Sequence, residues 1–139
     1  MMAAFNKINS FVEALAEKVH NLGSDTLTVA LCAAANAPVA SNTVLANLTQ
    51  ANYTNCSSRA ITTTSSAQTS GTYKLVLADL ILTASGGTVG PFRYVVVYND
   101  TATNDELIGW YDYGSDITLA ATETFTLDFD GSAGALTLV

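Results

Sequence analysis

The residues of this chain that could do chemistry are few and far apart. His20 is its only histidine, and Cys32 and Cys56 are its only cysteines. One imidazole cannot supply the paired nitrogen ligands of a catalytic zinc, and two distant cysteines with a lone histidine do not close a structural site. A Cys32–His20 dyad would need an accessible, activated thiol, whereas Cys32 lies in the apolar run "TLTVALCAA". Carboxylates are more numerous. Asp112 and Asp116 flank "YGS", and "DFDG" sets Asp128 and Asp130 at alternating positions before Gly131. The other oxygen ligands and the closing Glu of a calcium loop do not follow, so these aspartates read as turn formers. A glycosidase would need two opposed carboxylates across a cleft, and no insertion is long enough to build one. "SGGTVG" has neither the spacing nor the Lys of a phosphate loop. With no nucleophile beside a base, the expectation is a non-enzyme without metal or cofactor.

What remains is aromatic. "GPFRYVVVYNDTATNDELIGWYDYG", residues 90 to 114, carries Phe92, Tyr94, Tyr98, Trp110, Tyr111 and Tyr113. Aromatics this dense serve as a platform for a sugar or base, as core, or as a surface that another subunit covers. The stretch reads as strand, polar loop 99–106, and antiparallel return strand. Alternation then sets Tyr94 with Tyr98 on one face, and Trp110 with Asp112 opposite to Tyr111 with Tyr113. Cross-strand aromatic pairs commonly lock a hairpin, and Trp110 beside Asp112 meets the minimum for a carbohydrate platform. Core and interface packing are the preferred reading. The candidate contacts with another subunit or a larger assembly are Phe5, Phe11, Phe92, Arg93, Tyr98, Trp110, Tyr111 and Tyr113.

These residues need a scaffold, and 139 residues amount to one domain, 1–139, able to bury a core unaided. Charged residues make up 12%, about half the usual ~25%. A small domain has much surface per volume, so charge this sparse points to surface covered by neighbours, that is, to a homo-oligomer or assembly. The net charge is −7, and beyond the N-terminal segment the only bases are Arg59, Lys74 and Arg93. No basic stripe is available to neutralise phosphates, which argues against nucleic acid as a partner. The N-terminus lacks the pattern of a signal peptide, and no apolar run approaches the ~18 residues of a membrane span. Two free thiols in a reducing cytoplasm are expected.

The period of the apolar residues predicts the elements. Phe5, Ile8, Val12, Leu15, Val19 and Leu22 recur at three and four residues, predicting one amphipathic helix over 3–22. Gly23 would cap its C-terminus, and His20 on its polar edge would suit the helix dipole. From Asp25 the period becomes two. "TLTVALCAA" predicts a half-buried strand, 35–55 is irregular with Ser41 a candidate cap for a short helical turn, and "SRAITTTSSAQTSG" predicts a solvated edge strand. "TYKLVLADLILTAS" and "FRYVVVYND" are apolar on both faces, as strands covered on both sides are. "DITLA", "ETFTLDF" and "ALTLV" add short strands. The expected fold is mainly β: an antiparallel β-sandwich, with a jelly roll as one form of it, after one N-terminal helix.

The phrases "GPFRY", "YNDT" and "LIGWYDYG", with "FNKINSFVEALAEKVHNLGSDTL", "SSAQTSGTYKLVLADL" and "DITLAATETFTLDF", resemble a group of small virion proteins of tailed bacteriophages found among head-assembly genes. The resemblance covers most of the chain and is weakest over 33–57. It implies a capsid decoration, or cement, protein made in the host cytoplasm and carried on the capsid surface. The implied partners are the major capsid protein and further copies of the chain, as dimers or trimers. A tail or head–tail connector component and a glycan-binding module are the alternatives.

Overall fold

The computed structural model describes residues 3–139, and antiparallel strands dominate them. The largest sheet has five strands: β1 (Asn6–Lys7), β2 (Leu27–Cys32), β3 (Ala60–Ile61), β7 (Val89–Asn99) and β8 (Leu107–Leu119), in the order β1-β8-β7-β2-β3. A three-stranded sheet places β5 (Thr72–Leu77) between β4 (Thr63–Thr69) and β10 (Leu136–Leu138). β6 (Leu80–Thr83) and β9 (Thr124–Leu127) form a separate ribbon. Rings join the sheets: Tyr111 meets Phe129 with centroids 5.9 Å apart, and Phe92 meets Phe125 edge-on at 5.4 Å.

The predicted helix over 3–22 is mostly not helical. Among the described residues the one α-helix is α1, Phe11–Ala16. Upstream, Asn6 and Lys7 pair with Trp110 and Gly109, and the Ile8 N–H reaches the Ile108 carbonyl at 3.0 Å. These bonds satisfy the backbone as well as a helix would and also bury Phe5 against Tyr111, so tertiary pairing overrides local periodicity. Downstream the helix stops at Glu17. Lys18 takes the left-handed conformation (φ 67°) and the Val19 N–H closes on the Ala14 carbonyl at 2.8 Å, so Lys18 fills the role expected of Gly23. His20 therefore lies beyond the helix, not on its polar edge.

Two further expectations change in detail. The doubly apolar run 72–85 is two strands, β5 and β6, in different sheets. The break falls at Asp79, whose Oδ1 accepts the Phe129 N–H at 3.0 Å. "DITLA" is not a separate strand but the end of β8. The hairpin of β7 and β8, the exposed Thr- and Ser-rich β4, and the two free cysteines are as expected.

Every residue of β2 is buried, on both faces. The irregular segment 33–58 provides one cover. Its turn at Ala34–Asn36 contacts β7, and Leu45, Leu48, Ala51 and Tyr53 pack against the core. The Ala51 N–H and the Tyr53 hydroxyl bond to Leu31 along the edge of β2. Its short turn is capped by Asn47, whose Oδ1 accepts from the Thr43 and Val44 N–H groups, and not by Ser41.

Candidate functional site

The β7–β8 hairpin sorts its side chains by register. Tyr94 lies opposite Asp112, Val95 opposite Tyr111 and Val96 opposite Trp110. Alternation puts Tyr94, Tyr98, Trp110 and Asp112 on the outer face and Tyr111 on the inner one. On the outer face Tyr98 is only 4% exposed: it lies opposite Thr28 of β2, and Arg59, stacked 3.7 Å over the Tyr53 ring, lies close to its phenol. Further along the same face, Arg93, Tyr94, Trp110 and Asp112 are half exposed.

These four residues form an open patch. The Arg93 Nε and Nη2 donate to Asp112 Oδ1 and Oδ2 at 2.8 and 3.0 Å, a bidentate pair. The guanidinium carbon also sits 5.2 Å from the centroid of the Tyr94 ring. Hydrogen bonding to Arg93, and to the Gly114 N–H at 2.8 Å, holds the Asp112 carboxyl below its usual range. Asp116 adds its attraction to Arg93 from nearby, while its Oδ1 accepts the Ala34 N–H and ties down the start of the 33–58 segment. The Trp110 carbonyl accepts from Asn6 Nδ2 at 3.3 Å, which fixes the strand edge beside the indole.

The other predicted contacts divide between core and rim. Phe11 and Phe92 are 2% and 0% exposed and, with Tyr98, are core residues of this chain rather than outward contacts. Phe5 and Tyr111 pack ring to ring at 5.4 Å on the inner side, and burial pushes the Tyr111 phenol up to about 12. Tyr113 is 42% exposed and leans on Phe125 at the open end of the hairpin. Tyr94, absent from the predicted contacts, belongs with the patch. The hairpin register alone sets it against Asp112.

The residues considered for catalysis remain apart. Burial raises the Cys32 thiol to about 11 and also raises Cys56, so neither is an activated nucleophile. Asp130 Oδ1 accepts the Ser132 and Ala133 N–H groups, as a turn-forming Asp does. Among the described residues no group of three or more His, Cys, Asp or Glu side chains converges as a metal site would require. No helix among them is long and apolar enough to cross a membrane. No known protein family, characterised protein or solved structure matches the chain.

An open groove of about 720 Å³ lies between the 15–23 segment and the β4–β5–β10 sheet, lined by Leu15, Lys18, Leu22, Tyr73 and Leu138 among others. It lies away from the aromatic patch. The patch combines aromatic rings with an arginine held in place by Asp112.

Proposed function

We propose that this chain is a structural virion protein that decorates and stabilises a bacteriophage capsid by bridging adjacent capsomers. The observation that carries the reading is the half-exposed patch of Arg93, Tyr94, Trp110 and Asp112 on a chain with 12% charged residues. Arg, Tyr and Trp are the residues that dominate binding at the centres of protein interfaces. The phage resemblance of the same hairpin supports the reading. The partners are the major capsid protein and further copies of this chain, in a dimer or trimer, with the patch and Tyr113 as contacts. The sheets are read as the layers of a β-sandwich, with the rings of Phe92, Tyr111, Phe125 and Phe129 between them.

The mechanism is mechanical. Many modest contacts, repeated by symmetry, would tie neighbouring capsomers together against the pressure of the packaged genome, and avidity would make each weak contact durable. Copy number in purified virions tests this. Hundreds per particle fit decoration, whereas a dozen or fewer would indicate a tail or connector component. The half-exposed Trp110 beside Asp112 also favours a glycan-binding module as a second reading. Both oxygens of Asp112 are already engaged by Arg93, which leaves less acceptor capacity for sugar hydroxyls. Specific binding on a glycan array that Trp110→Ala abolishes would favour this second reading over the first.

A further inference from the structure

The polar cluster at the other end of the hairpin is built around the chain's only histidine. Asn99 is 0% exposed, and its amide is fully used. Its Oδ1 accepts the N–H groups of Thr101 and Ala102 at 3.0 and 3.2 Å. Its Nδ2 therefore faces the other way, donating to Asp25 Oδ2 at 2.6 Å and standing 3.0 Å from His20 Nδ1. With an N–H group pointing at it, His20 Nδ1 must be the unprotonated acceptor, so the ring proton sits on Nε2. That nitrogen is buried and has no hydrogen-bond partner among the described residues. The imidazole is 4% exposed and packs against Phe11 at 5.4 Å.

We propose that His20 and Asn99 form a proton-operated latch, closed while His20 is neutral, which releases the β7–β8 loop when Nδ1 takes up a proton. A proton on Nδ1 would set two donors against each other. The amide cannot simply turn over, because Oδ1 would abandon two backbone N–H groups and face the Asp25 carboxylate. The ring must move instead. The charged and titratable groups around it are Asp25 before β2, Glu106 before β8, and Lys18 and Tyr73, which line the groove beside it. The two acids would attract the imidazolium, yet burial outweighs them and keeps His20 below its ordinary value of 6.5. Once the Asn99 side chain lets go, the 101–102 backbone loses that anchor. The loop is still held by the Thr26 N–H to Thr101 Oγ1, the Asp100 N–H to the Thr26 carbonyl, the Asn99 N–H to the Glu106 carbonyl, the Asp105 N–H to the Ala102 carbonyl, the Asn104 bonds to Glu106, and the Leu45 and Leu107 N–H groups to the Asp105 and Thr43 carbonyls. The consequence is a loop whose order is lost as pH falls below 6.5 and His20 takes up its proton, independently of the assembly reading.

The test is a pH titration of the full chain by nitrogen-15 NMR, where a single histidine makes the ring signals unambiguous. The expected result is the Nε2–H tautomer at neutral pH and a His20 midpoint below 6.5. The Asn99 side-chain amide and the Thr101 and Ala102 N–H groups should shift with that same midpoint. Between pH 6.5 and that midpoint, their protection against hydrogen exchange should fall by about ten-fold per pH unit, the factor that one proton on one site allows, and it should level off below the midpoint. His20→Gln keeps an acceptor for Asn99 but cannot titrate, and should abolish the transition. An Nδ1–H tautomer, a His20 titration that leaves Thr101 and Ala102 unmoved, or the same transition in His20→Gln would each overturn the latch. If His20→Gln does not fold, the wild-type titration decides alone.

Discussion

The two ends of the β7–β8 hairpin carry the same kinds of residue and meet opposite fates. Near the loop, Val95 to Asn99 and Leu107 to Gly109 are all buried. At the far end Arg93, Tyr94, Trp110 and Asp112 are half exposed, and Tyr113 to Asp116 lie open. Composition does not separate them, since each end has tyrosine on the outer face. What separates them is the cover. At the loop end Tyr53 and Arg59 close over Tyr98. At the far end the outer face has only its own ion pair and the strut from Asp116 to Ala34. An aromatic hairpin can thus be core at one end and half-exposed at the other, and a segment distant in sequence draws the line between them.

The sharpest way to break this comparison is to make one substitution at both ends. Tyr98→Ala removes a buried ring and leaves Arg59 without its phenol, and should cost about 3–5 kcal/mol by chemical denaturation. Tyr94→Ala, on the same face and two pairs along, should cost about 1 kcal/mol, as partly exposed positions do. Equal losses would mean that the two ends are covered alike. A smaller effect is expected on the inner side. A side chain at Gly109 would collide with the Phe5 ring and the Asn6 carbonyl, so Gly109→Val should push β1 off the sheet edge at a cost of about 1–3 kcal/mol. The Phe5–Tyr111 ring contact should be lost with it, visible as upfield-shifted Phe5 ring signals returning to ordinary positions.

How much of this was legible in the sequence follows from the range of the interactions. The hairpin was, because alternation and a polar loop are local, and its register then joined Trp110, Asp112 and Tyr94. The N-terminal helix was misleading. Its three–four periodicity is real, and Ile8 and Leu22 of that stripe are buried, but Val12 is 49% exposed. Pairing with β8, a hundred residues away in sequence, nevertheless captured Asn6 and Lys7 and left too few residues for a long helix. Asp79, the single polar break in a doubly apolar run, was the visible mark of a strand changing sheets. The role of His20 was not legible, because it depends on Asn99, which sequence reading places only at the start of a loop. Nor was that of 33–58, which has no period to read and works as a cover through single contacts such as that of Tyr53 with Leu31.

The smallest expected effect concerns the open end and says what its ion pair is for. Arg93 and Asp112 are solvent-exposed, and such pairs contribute little to folding because water screens the attraction and ordering two side chains offsets it. Asp112→Asn should therefore leave the denaturation midpoint at neutral pH unchanged within error. The pH dependence carries the sign. The folded state lowers the Asp112 carboxyl below its ordinary 3.8, so whatever stability it adds is present above that value and disappears as pH falls through the folded-state value. Any difference between wild type and Asp112→Asn should be confined to that acidic range, far from the one governed by His20. If the variant is as stable as wild type yet fails to attach to particles, the pair serves recognition by holding Arg93 over Tyr94 in the geometry a partner meets. If it attaches normally, the patch works through its rings alone, and Trp110 becomes the residue whose removal must release the protein.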